Sequence, residues 1–501
     1  MSKIVLIVTR GFFVAVAVAI ALALLVYGQA TRAPSHQLIP NAPERPLFDQ
    51  SRVLKNLGDA IQLKTISSVD NPDLSADQFI KLHQLLKDRF PHLHRISQVE
   101  VIGKFSLLFH IAGSDPKANP IMLLAHQDVV PLATGTEHEW TYPPFSGAEK
   151  DGYVWGRGAW DNKGNLMSQL EAMEILLQGG FRPERGIYFA LGEDEETLGL
   201  RGAGQIATTL KQRGVRLHSV LDEGLLITHG MLPGLARPGA LIGVAEKGYL
   251  SVEVTVKADA GHSSMPPSPG QSAIAKLGKV ITYLDQHPRP SQIDGVARQL
   301  FETLAPEMHG LNHYALSNLW LFGPIVREQL EQSRASRALL QTSTAFTMSN
   351  AGNKENILPA QAQMTINYRL LPGDKIEVVL SDLEKAIKTQ LSAEEFSIRT
   401  LPHAVNASKI SPVASSQYRV LQQSIHDIFP DVVVAPGLML GATDSLKFEE
   451  LSDHIFKFSP VHANNEDLNR FHGSNERIAV NNYLDMIRFY HHYLSLASKL
   501  H

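Results

Sequence analysis

The sequence predicts an α/β fold in which helices flank a mostly parallel sheet. Three short apolar segments, residues 121–125, 186–192 and 219–221, are each followed by histidine or acidic residues. Helical patterns alternate with them, which is typical of buried parallel strands joined by crossover helices. Polar residues beyond the carboxyl ends of parallel strands converge on one crevice. The three segments therefore predict a single functional site.

The first half of the chain predicts the main sheet and the helices that cover it. Apolar residues at helical spacing indicate helices, whereas short alternating or continuous apolar runs indicate strands. The pattern predicts, in order, helices over 52–63 and 76–90, an edge strand pair over 99–111, a strand over 121–125, a short hairpin ending at Trp155, a helix over 166–177, and strands over 186–192 and 219–221.

A change of pattern near residue 247 predicts a second unit. Residues 250–256 alternate between apolar and polar, which is typical of a half-exposed antiparallel strand. The order βαββαβ predicts an α/β sandwich that can cover a cleft. Its elements are a strand over 250–256, a helix over 272–286, strands over 343–348 and 364–371, a helix over 375–391 and a strand over 396–400. Residues 288–340 are predicted to be a long irregular stretch, and the pattern leaves their role open.

The first pattern returns beyond residue 406, so the second unit is predicted to interrupt the main domain. A helix is expected over 415–428, strands over 431–435 and 455–458, and a terminal helix from about residue 480. The predicted domains are a membrane anchor or signal segment (1–30), a linker (31–47), the first part of the main domain (48–247), the inserted domain (248–405) and the second part of the main domain (406–501).

The amino-terminal segment predicts export. Residues 12–27 are an unbroken apolar or small run, and as a helix they rise roughly 24 Å, a little short of a ~30 Å hydrocarbon core. Including residues 4–8 makes the segment long enough to span, whereas Gly28 and Ala30 resemble a small-x-small cleavage site. We therefore expect either a membrane protein anchored by one helix or a secreted or periplasmic protein. The proline-rich residues 31–46 predict a stiff linker.

Composition restricts the kinds of partner and metal ligand. Lys and Arg total 46 against 50 Asp and Glu, which gives a net charge of -4. No nucleic-acid partner is expected, because such proteins normally carry a concentrated basic face. The chain contains no cysteine, so disulfides and thiolate ligands are excluded. Any zinc ion would be held by histidine, aspartate and glutamate.

Each candidate site residue also has an ordinary structural explanation. His126 and Asp128 could be a loop histidine beside a capping carboxylate. Asp161 could cap the helix that follows, with Asn162 as the rival. The acidic run Glu193–Glu196 could be a solvated turn, but four carboxylates after a buried strand repel one another and need cations nearby.

Together these residues favour a site for two cations. His126 and His472 supply two imidazoles, and three carboxylates come from Asp161, Glu196 and Asp222. This set suits two borderline cations sharing one bridging carboxylate. Two zinc ions carry +4 and three carboxylates carry -3, so one hydroxide would make the cluster neutral. Residual positive charge on such ions acidifies bound water.

Six short motifs occur along the chain: His126-Gln-Asp128, Gly158-Ala-Trp-Asp161-Asn-Lys-Gly164, Asp194-Glu195-Glu196, Leu221-Asp222-Glu223-Gly224, Gly261-His262-Ser263-Ser264 and Phe471-His472-Gly473-Ser474-Asn475-Glu476. They resemble, in the same order, the motifs of the dinuclear zinc peptidases of the aminoacylase and carboxypeptidase S type. Within that family the chain most resembles the carboxypeptidase S and N-fatty-acyl-amino-acid synthase/hydrolase branch. The resemblance extends from about Arg52 to the end of the chain.

The resemblance implies a role for each of these residues. The main domain would be the catalytic domain, and the inserted sandwich would be a lid or dimerisation domain. Glu195 would be the general base, Asp128 would orient His126, and Asp161 would bridge two zinc ions. The full ligand set implied by the resemblance is His126, Asp161, Glu196, Asp222 and His472.

By the same resemblance, three residues of the inserted domain would contact the substrate. His262 would stabilise the developing oxyanion, often from the other subunit of a homodimer. Arg369 and Asn356 would hold the substrate, and a guanidinium suits a free carboxylate because it can bind both oxygens. An ordinary turn histidine and a salt-bridge arginine are the alternatives for His262 and Arg369.

The implied activity is zinc-dependent hydrolysis of an amide bond next to an amino acid with a free carboxylate. The substrate would be a short peptide or an N-acyl amino acid, and a fatty-acyl substrate could also be synthesised by the reverse reaction. Two alternatives stay open. One is an amidohydrolase that acts on a non-peptide C–N bond, and the other is a non-catalytic scaffold with the same fold.

Overall fold

A computed structural model describes residues 2–232 and 234–500, and for residues 2–8 it describes the backbone alone. Met1 and His501, which bound the first and last predicted domains, lie outside the described residues. The helices are α1 (Ser2–Arg32), α2 (Gln50–Ile61), α3 (Ala76–Arg89), α4 (Pro91–Ile96), α5 (Lys163–Gln178), α6 (Ala203–Gln212), α7 (Ala273–Gln286), α8 (Gly295–Leu304), α9 (Leu311–Ser317), α10 (Leu319–Glu331), α11 (Arg334–Leu340), α12 (Ile376–Lys388), α13 (Ser416–Ile428), α14 (Asn465–Leu468) and α15 (Val480–Ala497).

Within the described residues, the strands form a large sheet of eight strands and three smaller sheets, which confirms the predicted α/β class. The large sheet has the order β1-β2-β6-β3-β7-β16-β8-β15. The strands are β1 (Gln98–Ile102), β2 (Ser106–Ile111), β3 (Ile121–His126), β4 (Ala148–Lys150), β5 (Tyr153–Trp155), β6 (Ile187–Gly192), β7 (Ser219–Thr228), β8 (Gly239–Glu246), β9 (Gly248–Lys257), β10 (Gly261–His262), β11 (Ser343–Ala351), β12 (Ile357–Leu358), β13 (Gln361–Leu370), β14 (Phe396–Thr400), β15 (Val433–Met439), β16 (Ile455–Ala463) and β17 (Arg477–Ala479).

The centre of the large sheet is parallel and buried on both faces. Strands β6, β3, β7 and β16 are neighbours and run in the same direction. On β3, Leu123 packs in the core beneath α5 and α15, whereas Met122 and Leu124 pack on the opposite face with Ile206 of α6. A strand buried on both faces has no polar alternation, which is why residues 121–125 form a continuous apolar run.

The second sheet is a separate antiparallel unit. It contains four strands in the order β11-β13-β9-β14 and has its own hydrophobic cluster between Leu250 and Phe396. The elements β9, α7, β11, β13, α12 and β14 follow one another in the predicted order βαββαβ, with α8 to α11 inserted after α7. Helices α7 and α12 contribute Leu277 and Leu383 to this core.

Two stretches differ from the sequence prediction. Residues 288–340 are not irregular, because they contain helices α8 to α11. Three of these helices have only 7 to 10 residues, which is too short for a clear helical period, and α10 contains Pro324, which normally indicates a break. Helix α8 packs Leu300 and Leu304 against Val433 and Ala435 of the large sheet. The other difference is that β7 continues to Thr228 and is followed by β8, where glycines interrupt the apolar pattern.

The predicted linker lies along the main domain. Residues 33–49 form no helix or strand. The Gln37 side chain donates a hydrogen bond to the Val434 carbonyl (3.0 Å) and accepts one from the Val434 amide (2.7 Å). The Asn41 amide donates to the Asp427 carboxylate at 2.7 Å. The segment thus covers part of the edge strand β15, whose main-chain groups would otherwise face solvent.

Candidate metal centre

The candidate site lies where the parallel strands β3 and β6 end beside the middle of β7. His126 is the last residue of β3, and Glu193–Glu196 follow β6, which is next to it in the sheet. Glu223 lies on β7, on the other side of β3. Because carboxyl ends of parallel strands meet at one edge of a sheet, residues separated by about a hundred positions meet in one crevice, as the sequence predicted.

Asp161 lies between two imidazoles that approach different oxygens of its carboxylate. His126 Nε2 is 3.0 Å from Oδ1, and His472 Nε2 is 2.8 Å from Oδ2. Each imidazole has a second carboxylate neighbour: His126 Nε2 is 3.2 Å from Glu223 Oε1, and His472 Nε2 is 3.3 Å from Glu196 Oε1. Tetrahedral zinc ligands with bonds of about 2.0–2.1 Å lie about 3.3–3.4 Å apart, so both groups have nearly the spacing of a ligand shell.

The donor set fits a pair of borderline cations. Ligand atoms of His126, Asp161 and Glu196 lie within 4.8 Å of one another, and so do those of His126, Glu195 and Glu223. Glu196 Oε1 is buried, and its cationic neighbour is the His472 imidazole at 3.3 Å; a buried carboxylate oxygen is costly without such a partner. Imidazole and carboxylate ligands suit zinc in the absence of thiolates.

The structure brings Glu223 to His126 in the place that the sequence analysis gave to Asp222. Leu221 and Val220 pack on opposite faces of the sheet, so by alternation Glu223 shares the face of Leu221 and Asp222 shares that of Val220. The Asp222 carboxylate accepts hydrogen bonds from the amides of Glu223 and Ser445, both at 2.8 Å. Among the described residues it belongs to neither group of potential ligands.

Asp128 connects His126 to the acidic turn. His126 Nδ1 lies 2.9 Å from the Asp128 carbonyl oxygen and 3.2 Å from its carboxylate. The same carboxylate accepts hydrogen bonds from the amides of Glu195 (3.2 Å) and Glu196 (3.1 Å). An acceptor at Nδ1 leaves Nε2 to face the crevice. Asp128 is fully buried and positions three residues of the site.

Burial and neighbouring charges shift the pKa values of the site residues. Burial would raise the pKa of Asp161, but hydrogen bonds from His126 and His472 outweigh it and lower that pKa. Hydrogen bonds to Asp161 and Glu196 raise the pKa of His472 to about 10. Burial and the nearby Glu223 carboxylate raise the pKa of Glu195 well above its ordinary value. Burial and then Asp161 raise the pKa of Glu223 to about 7.

Glu476 makes contacts around the site that sequence reasoning missed. Its Oε1 accepts hydrogen bonds from the amides of Gly158 (2.9 Å), Trp160 (3.0 Å) and Asp161 (3.1 Å). Its Oε2 accepts one from Arg157, which also donates to the His472 carbonyl at 3.0 Å. Both side chains are buried. Arg157 and Glu476 therefore join the two loops that carry Asp161 and His472. The one sequence signal for Glu476 was its position inside the His472 motif.

The predicted substrate residues lie on the second sheet and its loops, apart from this cluster. His262 is exposed and lies opposite Ile357 in the short antiparallel pair of β10 and β12. The Ser263 amide donates a hydrogen bond to the Asn356 carbonyl at 3.1 Å. Asn356 Oδ1 is buried without a hydrogen bond. Arg369 lies on β13 over the ring of Tyr249, 4.9 Å from its centroid. Among the described residues, none of the three is hydrogen-bonded or ion-paired to the metal cluster.

We expect metal affinity to fall as pH falls. A ligand with a raised pKa in the metal-free protein holds its proton at neutral pH, and metal binding must displace that proton. Since the pKa of His472 is about 10, zinc affinity should rise about tenfold per pH unit for each displaced proton between about pH 6 and pH 8. Calorimetric titration of zinc in buffers of different ionisation enthalpy measures both affinity and proton release. A pH-independent affinity would contradict this assignment.

We also expect Glu476→Ala to weaken both folding and metal binding. The substitution leaves the Arg157 guanidinium buried without its partner, which typically costs about 3–5 kcal/mol, and frees the loop that carries Asp161. Urea unfolding and zinc titration of the purified protein measure the two effects. Glu466→Ala, at an exposed position, is the control and should change neither. Parental stability and zinc affinity in Glu476→Ala would show that the loop is held by other contacts.

Comparisons with known proteins confirm the resemblance seen in the motifs. The model of peptidase family M20/M25/M40 matches residues 122–496. The N-fatty-acyl-amino acid synthase/hydrolase PM20D1.1 of Danio rerio is 39% identical over 450 residues, which cover 88% of this chain and 85% of that protein. The probable carboxypeptidase S-like 2 of Dictyostelium discoideum is 37% identical over 449 residues, with 89% and 85% covered.

Among solved structures, the chain is similar to the M20 family metallo-carboxypeptidase Sso-CP2 from Sulfolobus solfataricus. The TM-score is 0.65 at 18% identity, and the match covers 89% of this chain and 99% of that one. This similarity shows a shared fold. From the family match and the two relatives, the chain belongs to peptidase family M20/M25/M40 and is a metal-dependent peptidase or amidohydrolase.

Proposed function

We propose that the protein uses two zinc ions to hydrolyse the amide bond next to an amino acid with a free carboxylate. The substrate class is short peptides and N-acyl amino acids, in line with the names of the relatives. The observation that carries the proposal is the placement of Asp161 between His126 and His472, each within 3.0 Å of a different carboxylate oxygen. One carboxylate shared by two imidazoles is the arrangement expected of a bridged metal pair.

We assign the ligands from the distances between side chains. Asp161 would bridge the two ions, His126 and Glu223 would bind one of them, and His472 and Glu196 would bind the other. When bound, the ions would lower the pKa of a shared water molecule and polarise the substrate carbonyl. Asp222 is not assigned as a ligand, because its carboxylate accepts hydrogen bonds from the amides of Glu223 and Ser445.

Glu195 is the proposed general base. Its carboxylate lies within 4.8 Å of the ligand atoms of His126 and Glu223, and its amide is held by Asp128. A base that accepts a proton from the attacking water and returns it to the leaving amine works best with a pKa near the working pH. Burial raises the pKa of Glu195 in that direction. Asp128 supports the step by fixing both Glu195 and His126.

The substrate carboxylate is proposed to bind Arg369. The described residues provide no ion-pair partner for this guanidinium. It lies near Lys247, whose pKa is lowered to about 8, first by burial and then by Arg369. A guanidinium without an ion-pair partner, beside a second cation, suits an anionic group. His262 and Asn356, joined by the Ser263 main chain, would hold the scissile carbonyl, with His262 supplied across a homodimer.

The amino-terminal helix supports the proposed location. Within the described residues, Thr9–Arg32 is the single helix long and apolar enough to cross a membrane, and a signal sequence meets the same criteria. We propose an exported protein that this helix anchors in the membrane, with a secreted or periplasmic form if the segment is cleaved.

Turnover of a small substrate panel by the zinc-loaded protein tests the proposal. The panel contains a Gly-Leu-type dipeptide, N-acetyl amino acids and N-oleoyl-phenylalanine. Glu195→Gln should lower kcat by about 10²–10⁴-fold, the usual contribution of a general base, and should keep both zinc ions. Glu394→Gln at an exposed position should leave kcat unchanged. Full turnover in Glu195→Gln would contradict the role of Glu195.

The panel also separates the alternatives. The best substrate distinguishes a carboxypeptidase from an N-fatty-acyl-amino-acid hydrolase. Two bound zinc ions without turnover of any member would favour a different C–N bond as the target. Failure to bind zinc would contradict the metal centre itself and favour a scaffold.

A further inference from the structure

Helices α9 and α10 present an apolar surface that the other described residues leave exposed. Neither helix buries a single side chain, although α10 begins Leu-Trp-Leu-Phe-Gly-Pro-Ile-Val. Leu311 is 86% exposed, Trp320 55% and Ile325 63%. A surface helix of a globular protein normally turns its apolar stripe toward the core. An uncovered apolar surface of this kind marks a binding surface.

The same two helices hold the end of the amino-terminal helix. Tyr27 of α1 stacks on Tyr314 of α9, with ring centroids 6.4 Å apart. Asn318, between α9 and α10, donates a hydrogen bond to the Val26 carbonyl at 3.1 Å. Trp320 Nε1 donates to Gln29 Oε1 at 2.6 Å. These contacts all fall in the last two turns of Thr9–Arg32, the segment that is long enough to cross a membrane.

We propose that α9 and α10 are a second membrane contact, lying in the headgroup layer beside an uncleaved α1. From Thr9 to Val26 a helix rises roughly 26 Å, so a ~30 Å hydrocarbon core ends near the residues that α9 and α10 hold. The exposed apolar surface is therefore continuous with the surface of the spanning helix at the level of the membrane boundary. Tryptophan is enriched at that level because its ring is apolar and its N–H is polar.

A bilayer explains the exposed residues better than a second protein copy. The surface adjoins α1, which exposes apolar side chains along its length, among them Phe12, Leu24 and Leu25. A bilayer would cover the apolar side chains of α1 and those of α9 and α10 together. The assignment also gives a role to part of residues 288–340. Helix α8 fixes this segment to the large sheet, and α9 and α10 carry the membrane surface.

The surface lies at the end of the large sheet where β7 finishes. Leu232 and Leu235, in the loop after β7, pack in one cluster with Leu316 and Leu319 of α9 and α10. The metal centre lies toward the same end, because its residues follow the carboxyl ends of β3 and β6. This consequence rests on the proposed function: the active site would lie toward the membrane, into which fatty-acyl substrates partition.

The tryptophans of the chain provide a direct test. Trp140, Trp155 and Trp160 are at most 9% exposed, whereas Trp320 is 55% exposed. The full-length protein is reconstituted in phosphatidylcholine–phosphatidylglycerol vesicles with or without bromine on the acyl chains, and its tryptophan emission is measured. Bromine should quench part of the emission of the parent protein, and Trp320→Phe should abolish that quenchable part. Equal quenching of both proteins, or of neither, would overturn the proposal.

A second measurement avoids dependence on that substitution. Because the chain has no cysteine, Ile325→Cys and the equally exposed control Ile80→Cys on α3 can each carry one environment-sensitive dye. In vesicles the dye at position 325 should shift to shorter wavelength and the dye at position 80 should not. No shift at position 325 would assign the surface to solvent, and disulfide cross-linking between copies of the unlabelled Ile325→Cys protein would assign it to a dimer. Neither measurement requires enzymatic activity, so both are independent of the proposed function.

Discussion

Repulsion between carboxylates that share one buried crevice is the constraint on which the site depends. Asp161, Glu195, Glu196 and Glu223 converge there, and within the described residues the cationic partners at these side chains are the imidazoles of His126 and His472. Burial raises the pKa of most of these carboxyl groups, and only Asp161, between both imidazoles, has a lowered pKa. Divalent cations would offset this repulsion.

Residues next to the site fix this arrangement through hydrogen bonds to the proposed ligands and to their loops. Asp128 holds His126 and the amides of the acidic turn, and the buried pair of Arg157 and Glu476 joins the loops of Asp161 and His472. These residues would not touch the cations. They set the distances between the ligands, which must hold to within a fraction of an ångström for a metal site to form.

The sequence predicted the parts of the structure that depend on local pattern. Continuous apolar runs located the central strands, and the motifs predicted that His126, Asp161, Glu196 and His472 meet. The choice between Asp222 and Glu223 was beyond the sequence pattern, because neighbouring residues on a strand face opposite sides and no motif shows which side faces the crevice. The contacts of Glu476 were missed because they are made to main-chain amides. Helices α9 and α10 were missed because they are short and leave their apolar residues exposed.

A crystal structure of the zinc-loaded protein, with anomalous scattering measured at the zinc edge, tests the central claim most directly. The account predicts two zinc peaks bridged by Asp161, with His126 and Glu223 on one ion and His472 and Glu196 on the other. Asp222 should remain hydrogen-bonded to the Glu223 and Ser445 amides. A single peak, or a peak bound by Asp222 in place of Glu223, would contradict it.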